Sequence, residues 1–225
     1  MKQINIDKIS ESKEVFFKYV DICNKNFRSV TPSLYLYQKI FEKQKSANFH
    51  IEKIISNQDF LELMYVTLVA WNMNMRAAKM VSLDSFSESI QGFGKNISQL
   101  GDIELQLLSG NELERVLQQL KPIFMGLKVM KSESNIVGVS KTLHFLLPRL
   151  VPPMDRRYTM NFFYGHNNYK SGDKEFTSFS ILLREFHKVS RKLNLKTKDI
   201  NNVLWNTTVP KLIDNAIIGY ISKNS

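Results

Sequence analysis

The chain has a single cysteine, Cys23, in 225 residues. That count excludes an intramolecular disulfide framework and a multi-cysteine metal site. The four histidines, His50, His144, His166 and His187, form no HxxxH or HxH pair, so a histidine zinc site is not expected. The nine glycines are scattered and build neither GxxxxGK[ST] nor GxGxxG. This argues against a nucleotide-hydrolysing motor and a Rossmann dehydrogenase, and no cofactor or metal is expected. No run of about 18 apolar residues occurs, so no membrane span is predicted. The opening MKQINIDKISESKEVFF is polar and lacks the apolar core of a secretion signal, which predicts a reducing, cytoplasmic setting. No stretch combines a Lys-rich face with a strong exposed apolar face, so a membrane surface is not expected as a partner.

What is present is a globular composition, 43% hydrophobic and 23% charged, with a net charge of +10. The length suits one large domain or two small lobes sharing a core. Between Lys141 and Lys198 twelve basic residues face four acidic ones, a local excess of +8. Such an excess points to nucleic acid as the first candidate partner. Within this region Lys188, Arg191 and Lys192 share helical spacing and suit phosphate contacts or a solvated face.

The periodicity is helical almost throughout. Ser10, followed by Ser12-Lys13-Glu14, starts a helix carrying Phe16 and Val20, and Thr31-Pro32 opens a second, with Thr31 as N-cap. Asn57 or Asp59 begins a third, apolar nearly all round and expected at the centre of the fold. Asp84 is expected to cap Ser85 to Phe93, Asn111 to cap Glu112 to Leu120, and Pro122 to end that run. Helices are further predicted over Ile136–Leu147, Asp155–Phe163, Asp173–Leu193, Lys198–Trp205 and Val209–Ile221. Residues Gly165 to Gly172 read as a surface loop. No pair of alternating strands appears.

The densest constellation runs from Val137 to Thr159. A glycine turn leads into a buried helix bearing Lys141 and, one turn later, His144. A loop stiffened by Pro152 and Pro153 then delivers Asp155 to the next helix. Asp155 suits an N-cap or a catalytic carboxylate. Lys141 suits a nucleophile or an amine that caps a carbonyl. His144 suits a substrate contact or a core histidine held by one hydrogen bond. Arg156 and Arg157 follow directly, placed to pair with that carboxylate or with phosphates.

This segment resembles the catalytic segment of the helix-hairpin-helix, endonuclease-III-like DNA glycosylases. By that resemblance Gly138 matches the hairpin glycine, Lys141 the position of a nucleophilic lysine, and Asp155 the essential aspartate. The stretch Asp59 to Asn72 is similar to the family's first core helix. The likeness covers roughly residues 57 to 165. The hairpin phrase here is Ser134-Asn135-Ile136-Val137-Gly138-Val139-Ser140, with one glycine where the family has two. Lys141 and Asp155 are 14 residues apart, about one helical turn closer than in the family. The chain is also similar to a bacterial group that keeps a Ser-Lys…His…Pro-Pro-x-Asp-Arg-x-Tyr-Thr phrase, to which no activity attaches.

The resemblance implies an all-α fold of about ten helices, helix-hairpin-helix and glycosylase-like, with two lobes and a cleft between them. One lobe is expected over approximately 57–150 and the other over 1–56 with 151–225. It implies hydrolysis of the N-glycosidic bond of a damaged or modified base in DNA. Asp155 would stabilise the oxocarbenium-like sugar, and Lys141 is the lysine in register for a Schiff base. A flipped base needs a pocket, for which Trp71, Asn72, Asn74, His144 and Tyr158 are the candidates. The alternative is a non-catalytic nucleic-acid-binding or partner-binding helical module of the same fold.

Overall fold

In the computed structural model residues 2–27, 32–74, 79–132, 135–166 and 174–224 are described. The expected N-cap Thr31, Ser134 of the hairpin phrase and most of the expected surface loop lie outside them. The protein is all-helical, with twelve α-helices among the described residues and one isolated antiparallel bridge, Met80 to Met130. The helices are α1 (Gln3–Ile9), α2 (Lys13–Asn26), α3 (Pro32–Ser46), α4 (Ile51–Ile55), α5 (Gln58–Ala70) and α6 (Leu83–Gly92). They continue as α7 (Gly94–Ser98), α8 (Gly110–Gly126), α9 (Ile136–Leu146), α10 (Asn161–Tyr164), α11 (Lys174–Lys192) and α12 (Val209–Asn224). No described helix is long and apolar enough to cross a membrane.

Local chemistry sets most boundaries. Ser12 caps α2 by accepting from the Val15 N–H, and Asn57 caps α5 by accepting from the Phe60 N–H at 2.9 Å. Two caps differ from expectation. Ser82, not Asp84, caps α6. Ser109, not Asn111, caps α8, in a reciprocal box with Glu112. Pro122 does not end α8, which runs on to Gly126. Its ring sits on the exposed side while Leu120, Ile123 and Phe124 are buried, so packing of that face outweighs the roughly 3 kcal/mol cost of an interior proline. The helix expected over Lys198–Trp205 is only a 3-10 turn, Thr197–Asp199. Asn202 and Leu204 then take left-handed backbone angles that no helix continues through.

The centre of the fold is not α5, whose Val66 and Val69 are exposed. It is α9 and α12. In α9 every residue except Val137 is buried, and in α12 Val209 to Ile217 are buried without a break. The last helix packs along α2 so closely that a Cβ on Gly219 would lie 1.9 Å from the Tyr19 carbonyl oxygen. Glycine is required by that approach. Next to it the Tyr220 hydroxyl donates to Asn5 Oδ1 at 3.0 Å, so α12 also fixes α1. Along the other side of the core α3 packs on α5.

Gly138 does not form an open hairpin turn. It lies in the first turn of α9, where a Cβ would meet Met130 at 2.9 Å. Its smallness serves close packing of α9 on the 129–130 segment.

Candidate functional site

Two side chains of α9 fix the loop that leads to Asp155. The Ser140 hydroxyl accepts from the Met154 N–H at 3.2 Å. His144 Nδ1 lies 2.8 Å from the Val151 carbonyl oxygen, and its Nε2 lies 3.1 Å from the Tyr37 hydroxyl. A carbonyl only accepts, so Nδ1 carries the proton and Nε2 accepts from Tyr37. The Tyr37 oxygen in turn accepts from Thr207 Oγ1 at 2.5 Å. Complete burial lowers the His144 pKa to about 3, so the ring stays neutral. His144 is therefore a core histidine that clamps the proline loop. The expectation that it touches substrate is corrected, because it has no exposed surface and stands outside the cavity wall.

The clamped loop ends at Asp155, which starts a single π-helical turn, Arg156–Met160. Its Oδ1 accepts from the Tyr158 N–H at 2.7 Å, and its own N–H donates to Thr159 Oγ1 at 3.1 Å. The carboxylate is thus a cap, and it is half-buried in the wall of a cavity of about 190 Å³.

Four of the expected site residues join Asp155 there: Trp71, Asn72, Lys141 and Tyr158. Trp71 is the C-cap of α5. Asn72 follows with φ +63°, and the Asn72 and Met73 N–H groups donate back to the Val69 and Leu68 carbonyls, each at 3.0 Å. This is a Schellman closure, and it turns Asn72 out at the cavity edge. The Lys141 ammonium lies 3.5 Å from the Trp71 carbonyl oxygen and 5.6 Å from the centre of the Trp71 ring. Burial lowers its pKa, opposed by the negative charges of Asp155 and Asp214. The short spacing between Lys141 and Asp155 therefore still brings both to one cavity.

Other candidates lie elsewhere. Asn74 Oδ1 accepts from the Met80 N–H at 3.2 Å and does not line the cavity. Arg156 and Arg157 are exposed on the turn that Asp155 caps, with the Arg157 guanidinium 5.3 Å from the Tyr158 ring centre. On α11 Lys188 pairs with Glu185 at 2.6 Å and Lys192 with Asp7 at 3.6 Å. Neither these nor Arg191 lines the cavity.

Sequence reasoning missed the wall supplied by the chain's end. Trp205 lines the cavity, held by its indole N–H donating to the Phe27 carbonyl at 3.2 Å. From α12 come Lys211 and Asp214, both buried, with Lys211 Nζ 2.6 Å from Asp214 Oδ2 and 2.6 Å from Asn215 Oδ1. Asn215 donates to Asn206 at 2.9 Å, so the pair rests on an amide support. Burial pushes the Asp214 carboxyl up, Lys211 pulls it down, and Asp155 adds to the rise. The hint lay in VPKLIDNAIIGYI, where a lysine and an aspartate three apart interrupt an apolar helix. Cys23 also lines the cavity. Burial pushes its thiol up to about 12, so it is not a nucleophile at neutral pH. Among the described residues no three His, Cys, Asp or Glu side chains gather as a metal site. Comparison of the chain with protein-family models, with curated proteins and with solved structures finds no match.

Proposed function

We propose that the protein is a DNA glycosylase-like enzyme that hydrolyses the N-glycosidic bond of a damaged or modified base. The observation that carries this is Asp155, a helix-capping carboxylate in the wall of a cavity beside Trp71, Tyr158 and Lys141. Bond cleavage builds positive charge on the sugar, and a carboxylate fixed beforehand by a backbone hydrogen bond from the Tyr158 N–H is suited to stabilise it. The aromatic walls suit a base taken out of its stack. Arg156 and Arg157, exposed next to the carboxylate, suit phosphates on either side of the flipped nucleotide.

The reading extends to a helix-hairpin-helix glycosylase-like architecture with two lobes, residues 57–150 against 1–56 and 151–225. It is supported by the origin of the cavity wall: Trp71, Asn72 and Lys141 belong to the first, and Phe27, Asp155, Trp205 and Asp214 to the second. The setting proposed is cytoplasmic. The test is release of free base from oligonucleotides carrying single modified bases, compared between the protein and Asp155→Asn. Release that vanishes in the variant supports hydrolysis. DNA binding with strong salt dependence but no release from any substrate refutes it and leaves the non-catalytic binding module.

A further inference from the structure

Tyr37 of α3 is 2% exposed and does not line the cavity, yet it packs on both tryptophans that do. Its ring centre lies 5.5 Å from that of Trp71 and 5.3 Å from that of Trp205. Trp71 closes α5 and Trp205 precedes α12, so one buried ring backs walls that come from distant parts of the chain. The His144 ring stacks on Tyr37 as well, with centres 5.8 Å apart and an angle of 11° between the planes. A chain of hydrogen bonds runs through the hydroxyl. Thr207 Oγ1 donates to Tyr37, Tyr37 donates to His144 Nε2, and His144 Nδ1 donates to the Val151 carbonyl. The carbonyl can only accept, which sets the direction of every donor in the chain.

The two ends of this chain are the carriers of the cavity's two carboxylates. Val151 leads into Pro152 and Pro153, whose fixed φ angles pass a shift on to Asp155 rather than absorb it. Thr207 follows Asn206, whose Oδ1 accepts from Asn215 at 2.9 Å and from Asn24 at 3.2 Å. Asn215 in turn receives Lys211, the partner of Asp214. Asp155 and Asp214 share no hydrogen bond among the described residues: one serves the Tyr158 N–H, the other Lys211. Their placement relative to each other therefore rests on what joins the loop of one to the support of the other.

Resting on the base-release reading above, we propose that Tyr37 is a positioning residue. Its hydroxyl holds the Asp155 loop in register with the segment that carries Trp205 and supports Asp214, while its ring backs the two tryptophans. The two parts of the side chain have separate duties. Loss of the ring disturbs the walls that receive a substrate. Loss of the hydroxyl leaves those walls packed, strands His144 Nε2 and Thr207 Oγ1 without their shared partner, and frees the loop that ends at Asp155. Tyr37 touches no substrate in either case, and it acts through Asp155.

The experiment compares the whole protein with Tyr37→Phe, which keeps the ring and removes the hydroxyl. Amide hydrogen exchange is followed at Met154, Asp155 and Tyr158, whose N–H groups hold the loop and its turn, against the amides of α8. Expected is faster exchange at those three amides beyond any change in α8. Tryptophan emission is expected to stay the same, and it reports on the cavity walls alone because Trp71 and Trp205 are the chain's two tryptophans. On an oligonucleotide from which the unaltered protein releases base, kcat is expected to fall about 10–10²-fold at constant KM, the scale of a misplacement of up to about 1 Å. Exchange that is unchanged at the three amides, or that rises evenly across the chain, overturns the proposal and leaves Tyr37 a general stabiliser of the core. A raised KM with shifted emission overturns it too, because the hydroxyl then serves the walls. Should Tyr37→Phe fail to fold, Thr207→Val breaks the chain one bond away and is read at the same amides. If the unaltered protein releases no base, the glycosylase reading falls, and exchange at the three amides alone decides for or against Tyr37.

Discussion

Asp155 and Tyr158 are joined by a hydrogen bond of 2.7 Å from the Tyr158 N–H to the Asp155 carboxylate, and both side chains line the same cavity. One carboxylate therefore caps a turn and faces the site. The two roles separate by substitution. Asparagine caps as well as aspartate, so Asp155→Asn is expected to leave thermal stability almost unchanged while base release falls at least 10²-fold. Asp155→Ala is expected to lose release and also about 1 kcal/mol of stability. Denaturant melts beside release assays on both variants check this.

Asn72 allows a similar separation. Its left-handed backbone closes the end of α5, and its side chain stands at the cavity edge. Asn72→Gly keeps the closure and removes the side chain, so a change in release or base preference at unchanged stability identifies a substrate contact. Asn72→Ala is expected to cost about 1 kcal/mol from the left-handed angle alone.

His144 predicts a pH dependence of stability. Its folded pKa is lowered to about 3 from an ordinary 6.5. Between those values the unfolded chain binds a proton that the folded chain does not. The contribution of this residue is thus complete above about pH 6.5 and declines as pH falls toward 3. Denaturant midpoints measured from pH 7 to pH 4 should fall, and His144→Gln should flatten part of that slope. The ring should remain neutral by NMR at pH 5.

Arg156 and Arg157 are exposed on the turn that Asp155 caps, and on α11 Lys188 pairs with Glu185 and Lys192 with Asp7. Arg156→Ala with Arg157→Ala is expected to weaken DNA binding and to reduce the slope of log affinity against log salt by about 0.9 for each phosphate that is no longer neutralised. Lys188→Ala with Lys192→Ala is expected to change it less. Salt titrations of both double variants against one duplex decide between the two surfaces.

What could be read from the chain, and what could not, follows from the range of the forces involved. The helical class and the helix starts near Ser12 and at Asn57 or Asp59 were legible because capping and amphipathic spacing act within a few residues. The segment around Lys141 and Asp155 was legible as a dense local phrase. Pro122 misled because the burial of its neighbours, a long-range effect, outweighs its local cost. The cap of α8 misled because Ser109 and Asn111 are both good caps, and the reciprocal bond with Glu112 favours the serine. Trp205, Lys211 and Asp214 were not legible as site residues. They reach the cavity only because α12 lies along α2, and nothing within either helix specifies that partner. His144 shows the converse, since its position near Asp155 in sequence did not place it in the site.

The tight crossing of α12 over α2 at Gly219 has a consequence for the order of synthesis. Phe27 leaves the ribosome among the earliest residues of the site, and Asp214 among the last, yet they share one wall. A nascent chain lacking residues 209–218 lacks the cavity wall that Lys211, Asp214 and Ile218 supply and leaves the side of α2 that packs on α12 uncovered. Such a chain exposes apolar surface that favours aggregation until the partner helix arrives. A translation stall before α12 yields a protein with the Asp155 turn already translated and no pocket for it to face.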